Sequence, residues 1–232
     1  NPTWYVNGAD GIGDDECQNE GDIICGNFDN PLASIQEAID RAQEGNLIIV
    51  YPGIYGSISI ISVNVKIRSR YLADEEFIYQ TIIDADSVSS AVTFTGTDET
   101  SSLKGFTITG GYTSEDGLGS GILLQNSSPV LEKLVIHGNT TPTIGGKGGG
   151  IYCIGSSPTI NQVTIADNFA TEGGGMYIDN NSTPSIINSI IWNNAPIDAQ
   201  QIVFPDEGSN ISIILQYSDV LNSNTWDIGT AI

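Results

Sequence analysis

The chain has 232 residues, and its 28 acidic and seven basic residues give a formal net charge of −21 at pH 7. This charge argues against nucleic acid and anionic membranes as partners, and no apolar run reaches the roughly 18 residues of a membrane-spanning helix. The length suits one elongated domain, and the acidity favours a solvated exterior or a cation-rich surrounding.

The first elements along the chain are a strand, an acidic loop and a helix. Residues 1–30 contain an opening strand at 3–7 and then a loop rich in Gly, Asp, Glu and Asn. Residues 31–45 have apolar side chains at helical spacing, with Pro31 at the start and Gly45 at the end. They predict an amphipathic capping helix that covers the first coil of the following residues, 46–232.

The acidic N-terminal loop is a candidate calcium site. Asp10, Asp14, Asp15 and Glu16 place oxygen ligands close together on a flexible segment, as a hard cation prefers. The spacing differs from that of an EF-hand, and a solvated acidic loop is the alternative.

Two cysteines of the same loop, Cys17 and Cys25, flank a polar segment and predict a small disulfide in an oxidising compartment. The alternative is a pair of free thiols.

An internal repeat decides the fold. Three stretches stack without gaps, and each follows a glycine-led apolar tetrad: SPVLEKLVIHGN (128–139), SPTINQVTIADN (157–168) and TPSIINSIIWNN (183–194). The stacked columns alternate between aliphatic and polar residues, which is the pattern of short strands with one buried face. A repeat of this length without helices indicates an all-β parallel β-helix, in which each coil pairs with the next.

Several residues of types that often act in catalysis or binding fall into structural columns of this repeat. Asn139, Asn168 and Asn194 share one column and predict an internal ladder of stacked amides. Cys153 lies in an inward aliphatic column, so it is interpreted as a buried structural thiol. His137 has no acid or nucleophile partner in the pattern.

Aromatic residues suggest a sugar-binding surface. Tyr152 and Tyr177 share an outward column, and together with Trp192 they predict exposed rings on which a polysaccharide could stack. Ordinary stabilisation of the sheet by stacked aromatics is the alternative.

A row of cations suggests a second binding surface. Arg68 and Arg70, with Lys66, alternate with apolar residues and are predicted to face outward. They are candidates for binding a polysaccharide or partner, while a solvated face paired with Asp74, Glu75 and Glu76 is the alternative.

The N-terminal segments resemble the entry of pectin-lyase-like right-handed parallel β-helix proteins. The resemblance is carried by Trp4–Gly11, Asn30–Ile39 and Ile48–Tyr55. The Gly-Gly-Gly-Ile-Tyr and Ser-Ser-Pro-Thr-Ile blocks resemble bacterial cell-surface β-helix proteins and, more loosely, polymorphic outer-membrane proteins. The resemblance implies a right-handed, single-stranded solenoid, and it implies either polysaccharide chemistry or a structural role.

The sequence favours a non-catalytic extracellular building block, because the catalytic residues of polygalacturonase-type enzymes are absent. Such a block would serve adhesion or head-to-tail filament assembly, with self-association or other surface proteins as partners. A carbohydrate-active β-helix (lyase- or hydrolase-like) or a polysaccharide-binding module is the alternative. The start without Met and the last coil, without a predicted cap, indicate one domain over 1–232 from a longer or processed parent.

Overall fold

The computed structural model describes residues 2–8, 26–72, 78–114, 117–142, 144–196, 201–205 and 211–221. Within these residues the chain winds through three parallel sheets in turn, one strand in each sheet per coil. Neighbouring coils pair in register, for example Leu131 with Ile160 and Ile160 with Ile186. The predicted parallel β-helix is therefore confirmed.

The three sheets of the described residues are numbered in the order in which each coil enters them. Sheet 1 contains β1 (Thr3–Val6), β2 (Leu47–Val50), β5 (Lys66–Ser69), β8 (Ser102–Lys104), β11 (Val130–Glu132), β15 (Thr159–Asn161), β19 (Ser185–Ile187) and β22 (Ile214–Gln216). Sheet 2 contains β3 (Gly53–Tyr55), β6 (Thr81–Asp84), β9 (Thr107–Thr109), β12 (Val135–His137), β16 (Thr164–Ala166), β20 (Ile190–Trp192) and β23 (Asp219–Val220). Sheet 3 contains β4 (Ile58–Ile61), β7 (Val92–Thr95), β10 (Ile122–Gln125), β14 (Ile151–Ile154), β18 (Met176–Asp179) and β21 (Ile202–Val203). A short pair, β13 (Thr140–Thr141) and β17 (Phe169–Ala170), widens two coils between sheets 2 and 3.

Stacked aliphatic columns fill the interior. In sheet 2, Ile108, Ile136, Ile165 and Ile191 are neighbours in register and have no exposed surface. Sheets 1 and 3 contribute equivalent columns, so the core is continuous along the axis. Burial of these side chains supplies the main driving force for coiling, since each contributes about 1.5–3 kcal/mol.

The N-terminal helix is shorter than the sequence predicts. It spans Ile35–Arg41, because Leu32 pairs with Val6 of β1 in extended conformation and Ser34 caps the first turn by accepting the Glu37 N–H. Residues 31–34 are therefore not helical, and Ala42 ends the helix in an extended conformation.

The helix covers an open strand edge. The Gln36 side chain accepts the Ser59 N–H at 2.7 Å and donates to the Ser59 carbonyl at 3.2 Å, so the amide occupies the edge of β4. Pairing of the edge by a side chain prevents it from pairing with another chain. The predicted capping role thus has a specific contact.

The asparagine ladder lies where sheet 2 ends. The Nδ2 of Asn139 donates to Oδ1 of Asn168 at 2.9 Å, and the Nδ2 of Asn168 donates to Oδ1 of Asn194 at 2.9 Å. Gln201 extends the ladder, since its Oε1 accepts from the Nδ2 of Asn194. These side chains are buried, so they act as structural supports of the turns.

A second ladder consists of buried serines. The Oγ of Ser127, Ser156 and Ser182 accepts the backbone N–H of Thr97, Ser127 and Ser156, respectively. It crosses the corner between sheets 3 and 1 and provides partners for amides that would otherwise be buried without one.

Candidate functional site

Three cations meet on the outer face of sheet 1. Lys66 and Arg68 lie two residues apart on β5 and so share a face, and Lys104 of β8 is the direct neighbour of Arg68 in register. Neighbouring parallel strands are about 4.8 Å apart, so the three stems emerge from one small area. The chain has only seven Lys and Arg residues, so this is a local reversal of its charge.

The cations line an open groove, here called the cationic groove, with a volume of about 450 Å³. That volume falls within the range of about 300–1,000 Å³ that is typical of ligand sites. Its walls are Leu47, Lys66, Arg68, Leu72, Glu99, Thr100, Ser102, Lys104 and Val130. The groove therefore combines apolar walls with cations, hydroxyl groups and one carboxylate, that of Glu99.

Only part of this positive charge is neutralised by the described residues. Lys104 forms a 2.8 Å salt bridge with Glu132, its neighbour on β11. Arg68 donates to the carbonyl oxygens of Ser69 and Arg70, which orient its guanidinium without neutralising it. Within the described part of the chain, neither Lys66 nor Arg68 forms a salt bridge.

The arrangement opposes two like charges. Arg68 and Lys104 face each other across neighbouring strands, where like charges destabilise a sheet. An anionic ligand in the groove would relieve this repulsion. Lys104 is not recognisable as a groove residue in the sequence, because its position beside Arg68 depends on the register between two coils.

Arg70 does not belong to the groove. It follows β5, and its guanidinium lies 5.5 Å from the Tyr51 ring centroid and 5.7 Å from that of Phe28. These are cation–π contacts, so the predicted outward row of Lys66, Arg68 and Arg70 divides at Ser69. The predicted partners Asp74, Glu75 and Glu76 lie outside the described residues.

The prediction that Tyr152 and Tyr177 are exposed is wrong. Their side chains point outward from sheet 3 but are only 3% and 2% exposed, and their rings stack at 5.6 Å. The adjoining loops cover them, since a Cβ on Gly148 would lie 2.9 Å from that of Tyr152 and the Lys147 Nζ lies 4.6 Å from the Tyr177 ring centroid. They cannot stack on a sugar in this structure.

The buried tyrosine pair forms a polar network of its own. Tyr152 donates to Asp179 Oδ2 at 2.9 Å, and burial, followed by this bond, raises the pKa of Tyr152 well above its usual range. A hydrogen bond with Tyr177 raises the pKa of Lys147. The network attaches the covering loops to sheet 3, which is a structural role.

Trp192 is half-exposed, with 44% of its surface accessible, and lies on the outer face of sheet 2 beside Ala166. It therefore belongs to a different sheet from the two tyrosines, and the three aromatics do not form one surface. His137 is exposed on the same sheet.

Asp84 and Asp86, two carboxylates at the spacing that would place them on one face of a strand, do not share a strand face. β6 ends at Asp84, and Asp86 lies in the following turn with φ 49°. Asp84 Oδ1 accepts the Asp86 N–H at 2.9 Å, so this carboxylate stabilises the turn.

The calcium candidates Asp10, Asp14, Asp15 and Glu16 and the disulfide candidates Cys17 and Cys25 lie outside the described residues. Among the residues that the structure describes, no group of three or more His, Cys, Asp and Glu side chains could hold a metal ion.

Cys153 is buried in sheet 3, and burial raises the pKa of its thiol to about 12. We expect Cys153 to resist alkylation at pH 8 in the folded protein and to react after denaturation, because the thiolate is the reactive species. Peptide mapping by mass spectrometry measures this residue separately from Cys17 and Cys25. Alkylation of Cys153 at equal rates in folded and denatured protein would contradict its burial.

The raised pKa of Cys153 makes the stability of the folded protein depend on pH. The folded state holds the Cys153 thiol proton more tightly than the unfolded state, in which the thiol has a pKa of about 8.5. The contribution to stability is therefore complete below about pH 8.5 and is lost as the pH rises toward 12.

The coil of three parallel sheets defines a parallel β-solenoid. Residues 57–222 match the family model described as "Right handed beta helix region". The chain belongs to this right-handed β-helix family.

Among solved structures, the chain is similar to the pectate lyase Pel9A, with 15% identity and a TM-score of 0.62. The match covers 99% of this chain but 58% of the lyase, so the chain spans less than two thirds of its length. A pectin methylesterase from Aspergillus niger, with 11% identity, 88% and 89% coverage of the two chains and a TM-score of 0.45, is more distant. Such identities show the fold alone. A comparison with curated proteins found no match.

Proposed function

We propose that this protein binds an acidic polysaccharide in the cationic groove and that it does so without catalysis. The single observation that carries the proposal is the cluster of Lys66, Arg68 and Lys104, two of which oppose each other as like charges. The chemistry of the groove suits a chain of uronic acids, whose carboxylates would pair with the cations and whose ring faces would contact Leu47 and Val130. Polygalacturonate is the natural first probe, given the fold shared with a pectate lyase.

The overall charge of the protein sets the conditions for this binding. A net charge of −21 repels a polyanion at long range, while the groove attracts it at short range. Added salt screens both effects, with a Debye length of about 10 Å at 0.1 M. Binding therefore depends on direct contact with the groove and requires carboxylates on the ligand.

We expect Arg68→Gln to weaken binding of polygalacturonate at least about tenfold, because one charge-assisted hydrogen bond contributes about 1.5–3 kcal/mol. Combined replacement of Lys66, Arg68 and Lys104 by Gln should weaken it more than about 100-fold. Isothermal titration calorimetry measures both effects.

The matched control is Arg41→Gln, which changes the net charge equally but removes a cation paired with Glu37 on the helix. It should leave the affinity unchanged. Equal loss in the Arg68 and Arg41 variants, or equal binding of the neutral methyl-esterified polymer, would refute the groove as the site. Formation of unsaturated product, detected by ultraviolet absorbance, would show that the protein cleaves the polymer as a lyase and does not only bind it.

Other features of the function stay proposals that the described residues do not test. One is an extracellular location, as in cell-surface β-helix proteins or polymorphic outer-membrane proteins. A second is calcium binding at Asp10, Asp14, Asp15 and Glu16. A third is self-association or adhesion through the last coil. Within the described residues, β21, β22 and β23 are the last strands of their sheets. No helix among the described residues is long and apolar enough to cross a membrane.

A further inference from the structure

At one corner of the solenoid, the backbone adopts a conformation that is unfavourable for the residue types found there. Between sheets 1 and 2, Lys133, Gln162, Asn188 and Tyr217 adopt left-handed conformations, with φ of 52°, 56°, 51° and 51°. The coils are about 4.8 Å apart, so these four residues form a row parallel to the solenoid axis, here called the corner ridge. Gly105 occupies the same corner one coil earlier, with φ 80°.

Long side chains at these positions have a conformational cost. A left-handed conformation costs about 1–3 kcal/mol for residues other than Gly, and Asn and Asp reduce this cost by local hydrogen bonds. The other two corners follow this preference at most positions, with Gly96, Asn126, Gly155, Asn180, Gly138, Asp167 and Asn193, and their exceptions are the short side chains of Ser62 and Ser87. Lys133, Gln162 and Tyr217 depart from it, which indicates that their side chains serve a purpose other than turning the chain.

The ridge faces solvent. Gln162 and Asn188 are exposed, and Tyr217 is 89% exposed. The Nδ2 of Asn188 donates to Oδ1 of Asn161 at 3.1 Å, which holds its amide on the surface. Amides and an exposed aromatic ring are the groups that bind the hydroxyl groups and ring faces of sugars.

A pocket adjoins the ridge at Tyr79, whose side chain is 64% exposed. Its volume is about 180 Å³, and its walls are Ile78, Tyr79, Lys133, Leu134, Val135, Gln162 and Thr164. The residues that line it therefore carry an aromatic ring, an ammonium, an amide and a hydroxyl, around a space smaller than the roughly 300 Å³ of a drug-sized site. This combination suits one sugar unit.

The ridge is linked to the cationic groove. Lys133 Nζ donates to the carbonyl of Leu72 at 3.4 Å, and Leu72 lines the groove. Lys133 also directly follows Glu132, the partner of Lys104. A ligand chain that leaves the groove around this corner therefore reaches Lys133 and the Tyr79 pocket next.

We propose that the corner ridge and the Tyr79 pocket bind further sugar units of the acidic polysaccharide held in the cationic groove, and that this polysaccharide turns the corner at Lys133 and then follows the ridge parallel to the solenoid axis. The proposal rests on the proposed function, since the groove supplies the carboxylate contacts. It assigns Tyr79 and Tyr217 as stacking residues and Gln162 and Asn188 as hydrogen-bonding residues.

The test compares short and long oligogalacturonides by calorimetry. Tyr79→Ala and Gln162→Gly should each weaken binding of the long oligomer about three- to tenfold and leave the short one unchanged. Gln162→Gly should also raise Tm by about 2–4 °C, because glycine relieves the left-handed backbone. Higher stability together with lower affinity is a result that a purely structural role does not produce.

The matched control is Ser62→Gly, a left-handed residue (φ 53°) at another corner. It should raise Tm without changing either affinity. If both the Tyr79 and Gln162 variants bind the long oligomer with unchanged affinity, the corner ridge is not a binding site, and the proposed role of the cationic groove is unaffected. Loss in these variants with full binding in Arg68→Gln would instead refute the groove, and no binding of any oligomer by the unaltered protein would refute both.

Discussion

Replacement of Asn168 by alanine is expected to lower the free energy of unfolding by about 3–4 kcal/mol, since it removes the centre of the asparagine ladder. The Asn168 side chain forms five hydrogen bonds in a site that is 1% exposed. Alanine would leave the Asn139 N–H and the Ile136 carbonyl buried without these partners. Urea denaturation followed by circular dichroism measures the loss.

Asn161→Ala is the control for this substitution, because that side chain is half-buried and accepts one hydrogen bond from Asn188. It should cost about 1 kcal/mol or less. A loss below about 1 kcal/mol for Asn168→Ala would contradict a structural role for the ladder.

Replacement of Gly150 by alanine is expected to cost about 3 kcal/mol, because a close approach between coils requires the missing Cβ. A Cβ at this position would lie 2.5 Å from the Gly175 carbonyl oxygen and 2.6 Å from Ile165 Cγ2. Gly121 and Gly175 meet equivalent contacts in the neighbouring coils. This explains why a glycine begins each of the three repeated tetrads.

Gly56→Ala is the matched control, since a Cβ there meets no atom within 4 Å. Thermal and urea denaturation should show little change for Gly56→Ala and a large loss for Gly150→Ala. Equal stability of the two variants would show that the coils separate easily and that the close contact is not needed.

The repeat predicted the fold well because coil stacking places similar residues in the same column. Ile136, Ile165 and Ile191 align in the sequence and in the core for the same reason. The serine ladder could have been found in the same way, since Ser127, Ser156 and Ser182 directly precede the three aligned stretches. Serine is common in turns, so this column has no distinctive sequence signal.

The binding surfaces were harder to predict, because they depend on what lies over or beside a strand. The alternation of inward and outward side chains along a strand correctly predicts that Tyr152 and Tyr177 point away from the core. It contains no information on the loop at Lys147 and Gly148, which covers both rings. The register of Lys104 beside Arg68 was also hidden, since the long connection between β5 and β6 breaks the regular period of the early coils.

The corner residues show a similar limit. The column of Lys133, Gln162 and Asn188 is visible in the sequence, yet its left-handed backbone is not, because Lys and Gln rarely adopt that conformation. Tyr79 is separated from this column by more than 50 residues and reaches it only through folding.

The central claim is that the outer face of sheet 1 holds an acidic polysaccharide, and a crystal structure with a bound oligogalacturonide tests it most directly. We expect sugar carboxylates within hydrogen-bonding distance of Lys66, Arg68 and Lys104. An oligomer bound on another face, with these three side chains free of contact, would contradict the account.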